Sequence, residues 1–433
     1  MLAKPSIDLS PTRYLVMSSY CASLSSPCPI PPAAVVSGKL VAGSTAYRRT
    51  GWALFCAGFA TFAMLYGVQP LLPLFSAEFA SSAAQASTVL SAGTLSMALM
   101  LIPASLLADR LGRKPLMVVA LLVGALLTLA ATLTQGFGAL LWSRAAFGMV
   151  LAGLPAVAMA YLSEEVEASS LGKALGLYIA GNALGGMSGR YLAALLADVA
   201  GWRLALAVLG GLGLLAAALV WKQLPASRHF QPSRGNLAQL WHNGRRHFAD
   251  AGLPWLFLTA FLLMGCFVSL YNYLGYRLLQ TPFRLSQSQI GLVFLLYVVG
   301  IWSSAWAGTL ADRLGRRNVL WLMIVVMATG LLLTLPQQLW LVVGGVALFT
   351  FGFFGAHSVA SSWVGRRALQ ARALASACYL TAYYAGSSVM GTLSGLLWES
   401  HRWPGVAACL GLLLVAALAI ALHLRRLPPL PGA

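Results

Sequence analysis

From Trp52 almost to its C-terminal end, the chain alternates long apolar runs with short polar breaks. Twelve runs are distinguishable, at about 52–75, 87–107, 115–134, 139–162, 173–197, 203–222, 254–277, 289–311, 318–335, 339–363, 374–397 and 404–424. Each approaches the roughly 20 residues that carry a helix across the hydrocarbon of a bilayer. In lipid the backbone polar groups must be satisfied within the segment itself, which selects α-helices. The pattern therefore predicts an all-α integral membrane protein with 12 transmembrane helices. Helix 1 closes on Tyr66, Gly67, Val68, Gln69 and Pro70, with Pro73 just beyond. Proline removes a donor and crowds the preceding turn, so this end is expected to be kinked or loosened.

Two of the polar breaks repeat each other. SLLADRLGRKP runs from Ser105 to Pro115, and GTLADRLGRRN from Gly308 to Asn318, with residues 108–113 and 311–316 identical. A charged turn between apolar runs reads as a tight loop at a membrane surface. Ser105 and Gly308 are small enough for helices to approach closely. Asp109 and Asp312 can accept hydrogen bonds or face the positive start of a helix. Gly112 and Gly315 permit the turn, while Arg110, Arg113, Lys114, Arg313, Arg316 and Arg317 hold it on the cytoplasmic side. Other residues repeat at a nearly constant interval: Phe147 with Phe351, Gly181 with Gly386, and Gly186 with Gly391. The expected organisation is a cytoplasmic leader over 1–50, six helices over 51–222, a polar linker over 223–253, six helices over 254–424 and a tail over 425–433. Two parallel six-helix repeats imply a pseudo-two-fold transporter with its site between the halves.

Composition narrows the alternatives. Hydrophobic residues are 59% of the chain and charged residues 9%, against about 25% charged in a soluble domain, so a water-soluble protein is excluded. The net charge of +18 raises nucleic acid as a partner. Its basic residues, however, fall in small clusters without interleaved stacking aromatics, and no nucleic acid is expected. The positive-inside rule accounts for the charge instead. With both termini cytoplasmic, the outer loops keep only Arg203, Arg277, Arg284 and Arg402. Residues 1 to about 46 are rich in Ser, Pro and Ala and read as a flexible leader, with no sustained apolar core to make a signal peptide. The six cysteines form no C-x-x-C pair, so neither a disulfide framework nor a metal site is expected. The phosphate loop G-x-x-x-x-G-K-[ST] is absent, and neither ATP use nor any other cofactor is indicated.

The paired loops resemble the signature loop of the major facilitator superfamily, G-x-x-x-D-R-x-G-R-[RK]. The second copy matches in full, and the first carries Ser105 in place of Gly. Arg144 and Gly148 resemble the family's R-x-x-Q-G element, with Phe147 replacing the Gln. GNALGGMSGR, from Gly181 to Arg190, resembles the glycine-rich element of drug and sugar exporters, with Gly186 where many have Pro. GLYIAGNALGGMSGR, AMAYLSEE (from Ala158), SRHF (from Ser227), FLLMGCFVSLYNYLGYRL (from Phe261) and GAHSVASSW (from Gly355) are similar to the YnfM group of bacterial inner-membrane transport proteins. The resemblance implies a proton-driven exporter with the proton gradient as energy source. It also implies a latch role for Asp109, which would meet the start of helix 11 when the cytoplasmic side is closed.

Residues inside the spans are the candidates for chemistry. Ionisable groups in the bilayer are expensive and normally face a cavity or a partner, which singles out Arg144 and Arg190. Snorkelling outward is the competing reading, Arg144 being only a few residues from its outer end. His357 is a candidate proton carrier because imidazole titrates near neutral pH, and a packed or capped histidine is the other reading. Tyr66, Gln69, Tyr178, Asn182, Tyr271, Asn272, Tyr276, Tyr297, Tyr379 and Tyr383 are candidates for lining a polar, aromatic pathway, although Tyr also gathers at membrane interfaces. Gly148, Gly181, Gly185, Gly186 and Gly189 are expected to let helices pack closely and slide.

None of the chain's 10 acidic residues falls mid-span. A pocket for organic cations usually carries a buried carboxylate, so neutral or weakly acidic solutes are favoured. The expected function is proton-coupled efflux of such a solute by alternating access, from a monomer in the bacterial inner membrane. Import by the same cycle stays open, as does a non-transporting receptor on the same scaffold. An enzyme would need convergent nucleophile, base or metal ligands, which the scattered His and acidic residues do not supply.

Overall fold

The computed structural model describes residues 38–427 except 231–236, and the expected leader up to 37 and tail from 428 lie outside the described residues. Ten described segments are long and apolar enough to cross a membrane. They are α1 (Thr45–Glu78), α2 (Ala83–Leu111), α3 (Arg113–Ala131), α4 (Phe137–Glu165), a run Ala168–Gln223, α7 (Leu253–Leu279), α8 (Gln287–Leu314), α9 (Arg316–Leu333), α10 (Leu339–Arg367) and a run Arg372–Arg426.

The two long runs, of 56 and 55 residues, each fold back once. Gly201 takes φ +80° in the first and Arg402 φ +53° in the second, which ends one helix and starts another. Neighbours follow suit. Leu177 lies beside Gly51 and Gly189 beside Ala63, and on the way back Gly213 lies beside Met64. In the second run Gly386 lies against Phe261, whereas Cys266 donates back to the Leu410 carbonyl. The arms are α5 (168–199) and α6 (202–223), then α11 (372–401) and α12 (403–426). Ten segments with two hairpins make the expected twelve crossings, so both ends of the bundle emerge on one face, called here the terminal face.

The repeat seen in the sequence is visible in the caps. Ser82 and Ser286 open α2 and α8 with the same reciprocal box, their hydroxyls accepting the N–H of Gln85 and Gln289 and their own N–H groups donating to those side chains in return. Gly112 and Gly315 close the same helices at φ +91° and +82°, where a Cβ would be strained. At the far face, Arg277 is a helix cap as much as a loop charge. It donates to the carbonyls of Thr334, Leu335 and Pro336 just beyond α9, where the helix dipole is negative.

Three boundaries differ from expectation. Helix α1 begins at Thr45, with Ser44 accepting from the Tyr47 N–H, so residues 45–50 belong to the bundle and not to a leader. Leu40 pairs with Val166 in an isolated bridge. The linker contains a helix, Leu237–Ala249, with Trp241, Arg245 and Phe248 exposed along one side. Its basic, low-hydropathy sequence concealed it among the loop signals. Finally, α12 runs on to Arg426, past the expected end at 424.

Candidate functional site

The expected break in α1 is present: the helix stops after Tyr66, a 3-10 turn spans Gln69–Leu71, and a short helix continues to Glu78. Helix α8 carries a second interruption, a 3-10 turn over Phe294–Leu296, which its apolar sequence gave no cue for. The two interruptions meet at Arg190. Its Nε donates to Gln69 Oε1 at 2.6 Å, and one terminal nitrogen donates to the Gly186 carbonyl at 2.6 Å. The guanidinium carbon lies 4.2 Å from the Tyr66 ring centre, 4.8 Å from that of Tyr297 and 5.7 Å from that of Phe294. Arg190 stands eleven residues before Gly201, about 16 Å along the helix, which is half of a hydrocarbon layer of about 30 Å. The side chain is buried, and no carboxylate of the described residues pairs with it.

Gln69 passes the network on to the second half, its amide donating to Asn272 Oδ1 at 2.8 Å. Beside the break, side chains of the opposite half donate to backbone carbonyls of α1. Gln287 donates to Pro70 O, and the Tyr276 hydroxyl to Leu72 O at 2.9 Å while also meeting Ser76 Oγ at 2.7 Å. Between α2 and α11 runs a seam of small hydroxyls. Ser91 meets Thr392 at 2.9 Å, and Thr94 meets Ser388 at 2.7 Å. Beyond it Glu399 accepts from the Ala84 N–H, and Asp198 from Ser288. Among the described residues, the side-chain hydrogen bonds that join the two halves all lie between mid-depth and the far face, and none lies at the terminal face. Side-chain hydrogen bonds therefore join the halves at one end and not at the other among the described residues.

The repeated loops lie at the untied end and make their ion pairs within their own halves. Arg113 pairs with Asp109 and with Glu164, each at 2.7 Å, and covers the Phe230 ring. Glu165 accepts the N–H groups of Arg228 and His229. The AMAYLSEE and SRHF stretches and the first loop thus form one cluster, a connection the sequence did not reveal. In the second half, Asp312 pairs with Arg316 at 3.1 Å and Arg366 at 3.8 Å. Arg367 pairs with Asp250, tying the linker to α10. Burial raises the Asp250 carboxyl, but Arg367 and the N–H groups of Gly252 and Leu253 outweigh it and hold it below the ordinary aspartate value. Ser105, Arg110, Gly308 and Arg313 add no ion pair or cross-half hydrogen bond to these clusters among the described residues.

The other candidates separate by location. Arg144 does not snorkel: it is buried, lies 4.2 Å from the Phe147 ring centre and donates to the Leu65 carbonyl at 2.9 Å. Its Nε and one terminal nitrogen have no partner, which marks it as costly. His357 is packed, its Nδ1 2.9 Å from the Tyr379 hydroxyl and its ring beside Tyr383 and Phe353. Tyr271 bonds Thr350 within its own half. Tyr178 and Asn182 sit over Gly58 at the α1–α5 contact, and Asn272 and Tyr276 belong to the far-face seam. Gly181, Gly185 and Gly189 press on the backbone of Phe55, Phe59 and Ala63, while Gly148 presses on Gly93. Gly186 differs from the packing expectation. It faces the Arg190 guanidinium, so a side chain there would crowd the cation and not α1. Ser91, Thr94, Ser388, Thr392, Gln287 and Phe294 were not among the expected site residues, since single hydroxyls and amides in apolar runs carry no pattern of their own.

The two six-helix repeats match a known family. The family model of the Major Facilitator Superfamily matches residues 54–280 and 275–433. The chain belongs to the Major Facilitator Superfamily. It is 47% identical over 384 residues to the inner membrane transport protein YnfM of Escherichia coli (strain K12), covering 89% of this chain and 92% of that protein. It is 43% identical to the uncharacterized MFS-type transporter YybF of Bacillus subtilis (strain 168), covering 90% of this chain and 96% of that protein. Among solved structures, it resembles a bacterial homologue of the human lysosomal transporter Spinster, in an inward-facing and unoccupied conformation. That match has a TM-score of 0.71 at 17% identity over 89% of this chain and 98% of the other. A mutant form of the nucleoside transporter NupG gives a TM-score of 0.70 at 15% identity, over 87% and 99% of the two chains. The protein is a multi-pass membrane transporter of the superfamily, in the YnfM group.

Proposed function

We propose that this chain is a secondary active transporter that exports a small neutral or weakly acidic organic solute by alternating access, driven by proton antiport. The observation that carries the reading is the one-sided tie between the halves. Hydrogen bonds close the far face around the broken part of α1, and the terminal face is unjoined among the described residues. A cross-helix hydrogen bond in a membrane is worth about 0.6 kcal/mol on average. A handful therefore biases the two states without locking either. The basic residues of the terminal face support a cytoplasmic position for it by the positive-inside rule, in a bacterial inner membrane. In the outward state the Asp109 loop would exchange its present pairing with Arg113 for the start of α11. The Arg190 group is built from residues of one chain, which supports a monomeric working unit.

Energised inside-out vesicles carrying the protein, monitored with a pH-sensitive dye, test this. Proton release on adding neutral sugars or weak organic acids is expected, with little on adding cationic dyes and a marked loss in Asp109→Ala. Release chiefly with cationic dyes would contradict the solute class. Silence with every solute would remove proton antiport from the account.

A further inference from the structure

Arg190 is a charge without a counter-charge. Of its five N–H donors, two carry the bonds to Gln69 and Gly186, and both acceptors are neutral. The chain's described acids stand at helix ends or in loops, and none reaches the guanidinium. Aromatic faces from Tyr66, Tyr297 and Phe294 hold a cation by their quadrupoles but leave its charge in place. The bond from Nε to Gln69 marks the edge at which an added ligand would meet the guanidinium. An edge of two parallel N–H bonds is the shape of a carboxylate. No second cation joins the group among the described residues, so the match is to one negative charge.

We propose that Arg190 binds the carboxylate of a small organic anion, which displaces Gln69 from the guanidinium and so loosens the bond from Gln69 to Asn272. The bond to Gln69 already has a charged donor, but a carboxylate adds the opposite charge and a second, parallel bond, so it outcompetes the Gln69 amide for the same donor. Gln69 faces both ways, accepting from Arg190 and donating across to Asn272 at 2.8 Å. Freed from the arginine, its amide is no longer held in the orientation that spans the halves. Occupancy at mid-depth is thereby transmitted to the far-face tie, with the aromatic ring set receiving the apolar body of the solute. This deepens the transport reading above and rests on it for the solute's destination.

The test uses the full-length protein in detergent micelles and follows its thermal unfolding with benzoate against benzamide and hexanoate against hexanamide. At least one carboxylate should stabilise at a tenfold or more lower concentration than its amide. Arg190→Gln should erase that preference, and Arg190→Lys should keep it at weaker affinity. Gln69→Glu supplies a resident counter-ion, so it should raise the melting temperature and blunt the response to added carboxylate at least tenfold. No preference in either pair, or a preference that survives Arg190→Gln, would overturn the proposal. Counterflow in proteoliposomes separates the two claims. Carboxylate stabilisation without counterflow of labelled benzoate would sink the transport reading alone. Counterflow of neutral solutes with no carboxylate preference would sink the anion site alone.

Discussion

Arg144 and Arg190 show what a sequence can and cannot say about a charged residue in a span. Both stood out because ionisable side chains are rare in apolar runs. Their surroundings were hidden, because Leu65, Gln69, Tyr66 and Tyr297 come from other helices. Arg144 is enclosed within the first half, whereas Arg190 stands where the halves meet. Asp250 was not singled out at all, since an aspartate in a polar linker is ordinary. Its pairing with Arg367 has a pH signature. Its folded value is lowered, so its contribution is present above the ordinary carboxylate range and is lost as pH falls through the folded value. Hydrogen exchange at the Gly252 and Leu253 amides, corrected for intrinsic rates, should show protection near neutrality that fades under acid. Asp250→Asn should remove much of it at neutral pH and make no difference in acid. Protection independent of both changes would mean that the carboxylate does not hold this corner.

At the scale of the helix, periodicity and length gave the crossings, the hairpins and the glycine face of α5. Gly181, Gly185 and Gly189 repeat every four residues and meet Phe55, Phe59 and Ala63, which repeat likewise, so two helices touch backbone to backbone. Gly185→Ala should destabilise the bundle by about 1–3 kcal/mol, the range for overpacking a close contact. Gly176 lies on the same helix with open space around it. There Ala should be neutral or stabilising by up to about 1 kcal/mol, its gain in helix propensity over glycine. Unfolding in mixed micelles compares the two, and equal effects would mean that close packing of α1 on α5 is not what the glycines provide. The interruption in α1 was legible because Pro70 and Pro73 announce it. The one in α8 was not, because Phe294–Leu296 contains neither proline nor glycine and is shaped by what packs around it. The linker helix was missed for a related reason, its low hydropathy resembling that of a loop.

At the scale of the molecule, the repeat predicted two halves and a site between them. It could not say which end is closed, because one sequence must serve every state of the cycle. The state seen here depends on small side chains, Ser91 with Thr392 and Thr94 with Ser388, and on backbone carbonyls beside the break in α1. Such contacts leave little trace in hydropathy. The two faces are expected to open in alternation. Spin–spin distance measurement on the full chain in nanodiscs tests it without knowledge of the solute. One label pair would be placed at Leu133 and Gln338 on the far face, and another at Lys173 and Ala373 on the terminal face. Two populations are expected in each pair, with the far-face distance short when the terminal-face distance is long. Lowering the pH or adding benzoate should shift both pairs in opposite senses. Distances that stay single-valued, or that lengthen and shorten together, would contradict alternating access.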